Sequence, residues 1–489
     1  MMKRKRFLAV VGSILLLPVL LLVPERDPEI VKQAGRTPFI WNQDAYWSAL
    51  EARFREVRRE DCPSLQTDLQ ARFTRVEGYL DLLNGAPLSI GDSLYGRLEL
   101  ELFELATILA ACPDELPGFV HLTNRLRSGL KWQSRRWDMN SDEVRNSMYR
   151  LLYGSRAAIE EVMLQAPAGT VPELVVANQE PSGAPSATIL GLKVHSGDIL
   201  VSRGGAPTSA LIARGNDYPG NFSHVAMLHV DSTTGEASLI ESHIERGVAI
   251  ATVDEYLRDV KLRILVLRLR HDLPALQQDP LLPHKAATLC LEEAQGRHIP
   301  YDFSMDYNDD SEMFCSEVAS AAYGGAGIRL WMGVSNISGK GLVSWLSALG
   351  VRHFETQEPS DLEYDPQLRV VAEWRDKETL FKDHLDNAVI DAMLEEADEG
   401  QSLEYDWYLL PVARLAKGYS VLLNLMGQEG PVPEGMSATV ALRAQWFSSQ
   451  HERRVEYVRT ESVGFQERHG YRPPYWVLMR MARTSREVL

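Results

Sequence analysis

The sequence predicts an α+β protein in which a small antiparallel sheet is flanked by two helical regions. Three observations predict it. Apolar residues recur at helical spacing up to residue 166, at strand spacing from about 191 to 270, and at helical spacing again after about 377. The chain has 489 residues, enough for two to four domains. Its composition, 45% hydrophobic and 24% charged, is that of a globular protein. A net charge of -16 without an extended basic face excludes a general nucleic-acid binder.

Residues 1–30 read as a membrane anchor or signal segment. Met1-Met2-Lys3-Arg4-Lys5-Arg6 precedes an apolar run over residues 7–23, interrupted only by Gly12, Ser13 and Pro18. That length lies at the lower limit for a spanning helix. Leu21-Leu22-Val23-Pro24-Glu25 offers no small-x-small cleavage site, and no cysteine is near for lipidation. An uncleaved anchor is therefore favoured over a cleaved signal. The basic flank stays in the cytoplasm and the body lies outside it. That places the body on the periplasmic side of a bacterial inner membrane.

Residues 38–166 form the first helical region. Leu50, Phe54 and Val57 recur at helical spacing, as do Leu65, Leu69, Phe73, Val76 and Leu80. Residues 98–111 are nearly continuously apolar, and residues 142–163 close the set. The pattern is an antiparallel bundle without a catalytic constellation. Arg53, Arg55, Arg58 and Arg59 read as a solvated face. Cys62 and Cys112 each precede a proline. In an exported chain they form a disulfide; otherwise they are two free thiols at helix boundaries. No CxxC or Cys/His spacing suggests zinc, so neither a metal nor another cofactor is expected.

Residues 167–190 are rich in Pro, Gly, Ala and Ser and read as a linker. Residues 191–377 carry short β-type runs, a short helix near 252–259, and further helices after 282. Residues 378–489 form a helical extension. Within it, the apolar stretch 408–426, with Arg414 and Lys417 interspersed, reads either as a helix on a membrane surface or as one packed against the preceding domain, the latter favoured because amphipathic helices usually face a core. A final helix is expected over about 438–459.

The chemistry gathers at two places. Cys315 stands just ahead of the Ala-rich run Val318-Ala319-Ser320-Ala321-Ala322. A thiol at a helix start feels the positive end of the macrodipole, which lowers its pKa toward the nucleophilic thiolate. A buried structural cysteine is the alternative. Upstream, His224 opens an apolar strand, and Asp231-Ser232-Thr233-Thr234-Gly235-Glu236 is the turn of a hairpin. A turn centred near Ser232–Thr233 sets His224 across from Glu241. A turn one residue later sets it across from His243, with Glu241 diagonal. Either register brings a carboxylate within reach of His224, where it can fix the tautomer and stabilise imidazolium.

These segments resemble a known family. Gly197-Asp198-Ile199 resembles the opening strand of the permuted papain-like amidases, the YiiX/YaeF/YebB group of the NlpC superfamily. Phe222-Ser223-His224-Val225-Ala226-Met227 is similar to their histidine strand, and Leu239-Ile240-Glu241-Ser242 to their acidic strand. Pro300-Tyr301-Asp302 resembles a loop near their site, Phe314-Cys315-Ser316-Glu317-Val318 their cysteine helix, and residues 360–366 their closing segment. The resemblance implies a permuted papain-like core with Cys315 as nucleophile, His224 as base and Glu241 as orienter. Tyr301, with Ser223 and Ser316, is assigned to the pocket or oxyanion site. No role transfers to His195 or His243.

The acidic stretch Asp306-Tyr307-Asn308-Asp309-Asp310-Ser311-Glu312 lacks the glycine and terminal glutamate of a calcium loop and reads as a solvated loop. Ser202-Arg203-Gly204-Gly205 lacks the Gly-Lys-Ser/Thr ending of a phosphate loop. The expected protein is a membrane-anchored cysteine amidase or peptidase acting on a cell-wall peptide or lipid-linked amide. The alternatives are a lipid acyltransferase and a non-catalytic envelope scaffold.

Overall fold

The computed structural model describes residues 21–488. The apolar run expected to anchor the chain therefore lies mostly outside the described residues. Among those described, no helix is long and apolar enough to cross a membrane.

Among the described residues, five helices open the fold: α1 (Asp44–Val57), α2 (Cys62–Gly85), α3 (Ser93–Leu109), α4 (Leu116–Gln133) and α5 (Asp142–Gln165). The apolar positions read from the sequence are their inner faces. Val57, Leu69, Val76, Leu80, Leu98, Leu126 and Met148 share one core. Cys62 and Cys112 are disulfide-bonded, tying the start of α2 to the turn after α3 across 50 residues. This decides between the two readings of that pair.

Strands follow: β1 (Leu174–Val176), β2 (Ser186–Ile189), β3 (Leu192–His195) and β4 (Ile199–Gly204), then α6 (Pro207–Arg214). The run continues with β5 (His224–Val230), β6 (Ala237–His243), β7 (Gly247–Thr252), α7 (Val253–Arg258) and β8 (Lys261–Leu269). Helices α8 (Pro274–Gln278), α9 (Leu282–Gly296) and α10 (Cys315–Gly325) come next, and then β9 (Ser335–Asn336), α11 (Lys340–Leu349), β10 (Glu355–Thr356) and β11 (Leu368–Arg375). Seven strands make one sheet in the order β1-β11-β8-β4-β5-β6-β7, and every pairing is antiparallel. β1 comes from the stretch read as a linker; its Leu-Val-Val run pairs with the edge of β11.

Both faces of the sheet are covered. Val201, Val225, Met227 and Leu265 pack under α9 and α10 through Ala286, Val318, Ala319 and Tyr323. Leu200, Ala226, Leu228 and Val266 pack on the opposite face with Tyr256 of α7 and Val194 of β3. Two-sided burial explains the near-continuous apolar run of β8, whose nine residues are all buried. Its arginines need internal partners. Arg263 pairs with Glu160 of α5 and with Asp383. Arg268 forks onto Asp198 through two 2.7 Å bonds.

Four helices end the fold: α12 (Lys377–Asp398), α13 (Leu410–Asn424), α14 (Ala438–His469) and α15 (Tyr475–Val488). Asp376 caps α12, accepting from the amides of Glu378 and Thr379 at 2.9 and 3.0 Å. α14 runs ten residues beyond its expected end and stops at Gly470, which takes the left-handed conformation of a C-terminal cap. Pro473-Pro474 then starts α15, a helix the sequence reading did not anticipate. The expectation that residues 408–426 pack on the preceding domain is overturned. α13 rests on α14 through Leu410 and Ala413 against Ala438 and Leu442. Val412, Leu415, Tyr419 and Leu422 face outward. A helical apolar period shows that one face is shielded or sticky, not which surface covers it.

Two stability measurements test these links. Arg263→Met removes the buried cation between Glu160 and Asp383, leaving them to Arg375 and Arg203, and should cost about 3 kcal/mol in denaturant unfolding. Reducing the Cys62–Cys112 bridge should cost up to about 4 kcal/mol, the loop-closure entropy of a 50-residue loop. A reduced protein as stable as the oxidised one would contradict a constraining role for the bridge.

Candidate active site

The β5–β6 turn is built by Asp231. Its carboxylate accepts the amides of Thr233 and Thr234 at 2.8 and 2.7 Å, and its own amide donates to the Glu236 carbonyl. The register that follows pairs Ala226 with Glu241 and Leu228 with Leu239. Continued by two residues, it sets His224 opposite His243 with Glu241 diagonal, the second of the two registers read from the sequence. The Nε2 of His224 lies 2.7 Å from Glu241 Oε2, and the Nε2 of His243 lies 3.1 Å from Oε1. One buried carboxylate thus holds both imidazoles. His224 is left with Nδ1 turned away from the carboxylate.

The cysteine helix is pinned to the same strand. Ser242, between Glu241 and His243, donates to the Met313 carbonyl at 2.6 Å. Met313 donates to the Pro300 carbonyl, and Val248 of β7 to the Ile299 carbonyl, both at 2.9 Å. Gly247 is required here: a Cβ on it would come within 2.1 Å of that carbonyl, at a positive φ of 70°. α10 starts with half of a capping box, in which Glu317 accepts the Phe314 amide at 2.8 Å. Cys315 is its first residue, and its Sγ donates to the Ser223 carbonyl at 3.8 Å. The Val225 amide is its other close backbone neighbour. The thiol therefore meets the peptide groups on both sides of His224. Among the described residues no hydrogen bond joins thiol and imidazole.

The electrostatics differ from the sequence expectation of a lowered thiol pKa. Cys315 is 4% exposed. Burial pushes its thiol up to about 12, against the pull of the Val225 amide. Burial also lowers the imidazole of His224, outweighing Glu241. Burial would raise Glu241, but the hydrogen bonds from His224 and His243 prevail and hold it well below the usual carboxylate range. At neutral pH the resting site is a neutral thiol, a neutral imidazole and an ionised carboxylate.

The other predicted residues divide. Tyr301 is half-buried near the thiol; burial and then the Cys315 charge push its phenol well up. Ser316 is fully buried next to Cys315, and its hydroxyl and amide both favour the thiolate form without outweighing burial. Ser223 offers its carbonyl to the thiol, but its hydroxyl points away to Ser209, at 2.5 Å. His195 is structural, with Nδ1 2.9 Å from the Ala184 carbonyl. The loop after Tyr301 is held by Asp302, which accepts the amides of Ser304 and Asp306, each at 2.6 Å. Ser360 clasps the entry to β5, accepting the Phe222 amide at 3.0 Å and donating to its carbonyl at 3.1 Å.

Two residues at the site had no assigned role in the sequence reading. His243 is the second partner of Glu241. Glu358 is a buried carboxyl whose charge would act on both Cys315 and Tyr301. Burial, and then Asp361, raise it well above the usual range, and its Oε2 has no partner. Nothing in Gln357-Glu358-Pro359 marks it from sequence. The donor atoms of His224, Glu241 and His243 lie within 4.8 Å of one another, a set able to hold a cation. A cavity of about 800 Å³ lies elsewhere, between Trp41, Phe54, Tyr153 and Trp476 of the two helical regions.

Residues 193–372 match the family described as permuted papain-like amidase enzyme, YaeF/YiiX, C92 family. This central part of the chain is a permuted papain-like domain of that family, and the helical regions on either side lie outside the match. The crystal structure of metalloprotein yiiX from Escherichia coli O157:H7 is similar, at 20% identity over 37% of this chain and 98% of that chain, with a TM-score of 0.29. No curated protein matches.

Glu317 supplies a pH test of the helix start. Burial pushes its carboxyl up to about 9, with Asp302, Asp310 and Asp306 adding to the rise. The folded state thus holds a proton that the unfolded chain releases near 4.5. Its contribution is complete below pH 4.5 and is lost as pH climbs toward 9. Glu317→Gln keeps the hydrogen bond without the charge. It should leave urea stability at pH 5 unchanged and raise it at pH 8; equal effects at both pH values would refute the buried neutral acid.

Proposed function

We propose that this chain is a membrane-anchored cysteine hydrolase of amidase or peptidase type, acting on an amide or ester in the cell envelope. The observation that carries the reading is the joint placement of His224 on Glu241 at 2.7 Å and of the Cys315 thiol against the peptide groups flanking that histidine. The family match supports an amide substrate. The apolar segment over residues 7–23 supports an anchor, and the Cys62–Cys112 disulfide suits an oxidising, extracytoplasmic compartment.

The reaction starts from neutral partners. A substrate carbonyl enters beside Tyr301, and His224 takes the thiol proton as Sγ attacks the carbonyl carbon. The imidazolium so formed is stabilised by the ionised Glu241. The free amides at the start of α10 face the developing oxyanion. His224 then gives its proton to the leaving amine. A water activated by the same imidazole releases the acid from the thioester; another acceptor there would give acyl transfer.

The His224–Glu241–His243 set supports a second reading, an inhibitory divalent cation. Metal binding would occupy the base and silence the site.

Release of free amines from peptidoglycan peptides and N-acylated lipids tests the first reading. Cys315→Ala should abolish it, and His224→Ala should lower kcat/KM by about 10³-fold. Glu241→Gln should fall between His224→Ala and wild type. Alkylation of Cys315 should be slow at pH 7 and quicken steadily as pH rises toward 12. Alkylation and turnover both indifferent to His224→Ala would sink the proposal. Activity restored by a chelator would favour the cation.

A further inference from the structure

α13 carries its apolar stripe on the outside. Val412, Leu415, Tyr419 and Leu422 follow one another at steps of three and four and form a single line along the helix, with Tyr408 in the turn before it and Met426 in the turn after it. They are 57% to 71% exposed. Trp407 and Leu425 flank the line and are equally open. Isolated exposed leucines need no explanation, but a continuous aromatic and aliphatic face does. The opposite face of α13 is fixed: Leu410 and Ala413 are buried against Ala438 and Leu442.

The position of the N-terminal segment says what covers this face. The apolar run over residues 7–23 ends beside α13. Arg414, on the second turn of the helix, donates to the Val23 carbonyl and to Glu25 Oε1, the latter at 3.3 Å. Glu25 also accepts the Thr439 amide at 3.3 Å. The segment read as entering the bilayer is therefore clamped to the helix that exposes the apolar stripe. Tyrosine and tryptophan in such a stripe suit the headgroup boundary, where one end of the ring is apolar and the other wet.

We infer that α13 lies on the lipid surface as a second, peripheral membrane contact beside the N-terminal segment. This rests on the reading of that segment as an anchor. The contact also orients the catalytic cleft. After α13 the chain folds back, with Val432 donating to Ser420 Oγ at 2.9 Å and Lys417 to the Pro433 carbonyl at 2.8 Å. Glu429 then pairs with Arg246 at 3.7 Å, and Glu434 with His298 at 2.7 Å. Arg246 in turn reaches His243 Nε2 at 3.2 Å. The membrane helix is thus one loop away from the Glu241–His243 side of the site. The substrate class this favours is an amide borne by a membrane lipid.

Photocrosslinking tests it. The full chain is reconstituted into phosphatidylethanolamine–phosphatidylglycerol vesicles containing a diazirine-bearing phosphatidylcholine, irradiated, and mapped by peptide mass spectrometry. Adducts are expected on residues 407–426 as well as 7–23. Leu415→Glu/Leu422→Glu should cut adducts on 407–426 at least tenfold, leave those on 7–23 intact, and keep the thermal midpoint, because both side chains are exposed. Adducts on 7–23 with none on 407–426 would overturn the inference, as would chain-to-chain crosslinks through 407–426, which would mark a second copy as the occupant. Adducts on 407–426 without any on 7–23 would refute the anchor and leave α13 as the membrane contact. No adducts on either segment would refute both.

Discussion

Arg263, the third residue of β8, is fully buried, and the two helical regions meet the sheet at its guanidinium. Arg263, Glu160 and Asp383 are each at most 1% exposed. Three buried charges of this kind are unaffordable singly, each costing several kcal/mol to desolvate. They persist because α5 brings Glu160 and α12 brings Asp383 to the same fork, with Glu160 Oε2 3.0 Å from Arg263 Nη2. Arg156 joins the cluster by bridging Glu363 and Glu373. Arg203 of β4 adds a contact to Asp383 at 3.2 Å. Neither helical region can leave the sheet without stranding a charge. The strand that carries His224 pairs directly with β4, so the network fixes the platform on which the site is built.

The site shows which of two opposing effects governs a cysteine at a helix start. The helix terminus favours the thiolate by up to about 2 kcal/mol in partly buried settings. Raising the thiol from 9.0 to about 12 by burial corresponds to about 4 kcal/mol the other way. Burial wins, and the thiol rests protonated. The same burial keeps His224 neutral although an ionised carboxylate lies 2.7 Å away. Glu241 alone keeps its charge, because two imidazoles donate to it. A preformed ion pair is absent; what is preformed is the acceptor for a charge that arises only when the proton moves.

Much of this was legible in local sequence. The spacing of Leu65, Leu69, Val76 and Leu80 gave a helix and its buried side. The strand–turn–strand pattern around Asp231 gave the hairpin, and left two registers because its turn residues tolerate either centring. Asp231 chose between them by capping both Thr233 and Thr234. The N-terminal position of Cys315 on its helix was also readable, but its pKa was not. That value depends on the strands and loops packed over it, which lie far away in sequence. Glu358 was invisible for the same reason: a carboxyl between Gln357 and Pro359 has no period, and only the fold brings it near the thiol. The partners of Arg263 are more than a hundred residues distant in either direction. The direction of α13 was left between two surfaces for a different reason, because a core and a lipid surface select the same helical period.

A protonated thiol in a closed site has a consequence for how substrate must arrive. Separating charge between Cys315 and His224 is costly while both are buried, since the imidazolium gains Glu241 but the thiolate gains only amides and a neighbouring Ser223 carbonyl that repels it. A substrate carbonyl removes that difficulty by accepting the sulfur electrons as the proton leaves, so no free thiolate need accumulate. In the proposed mechanism, attack and proton transfer are therefore coupled within the bound complex, and a water molecule reaching the site first finds no thiolate to use. The 299–303 loop and the return loop after α13 lie on the Glu241–His243 side of the site, and the return loop is tied down by the Arg246–Glu429 and His298–Glu434 pairs. These are exposed ion pairs, individually worth about 1 kcal/mol or less. The register of β5 and β6, by contrast, is fixed by backbone hydrogen bonds and by packing on both faces of the sheet.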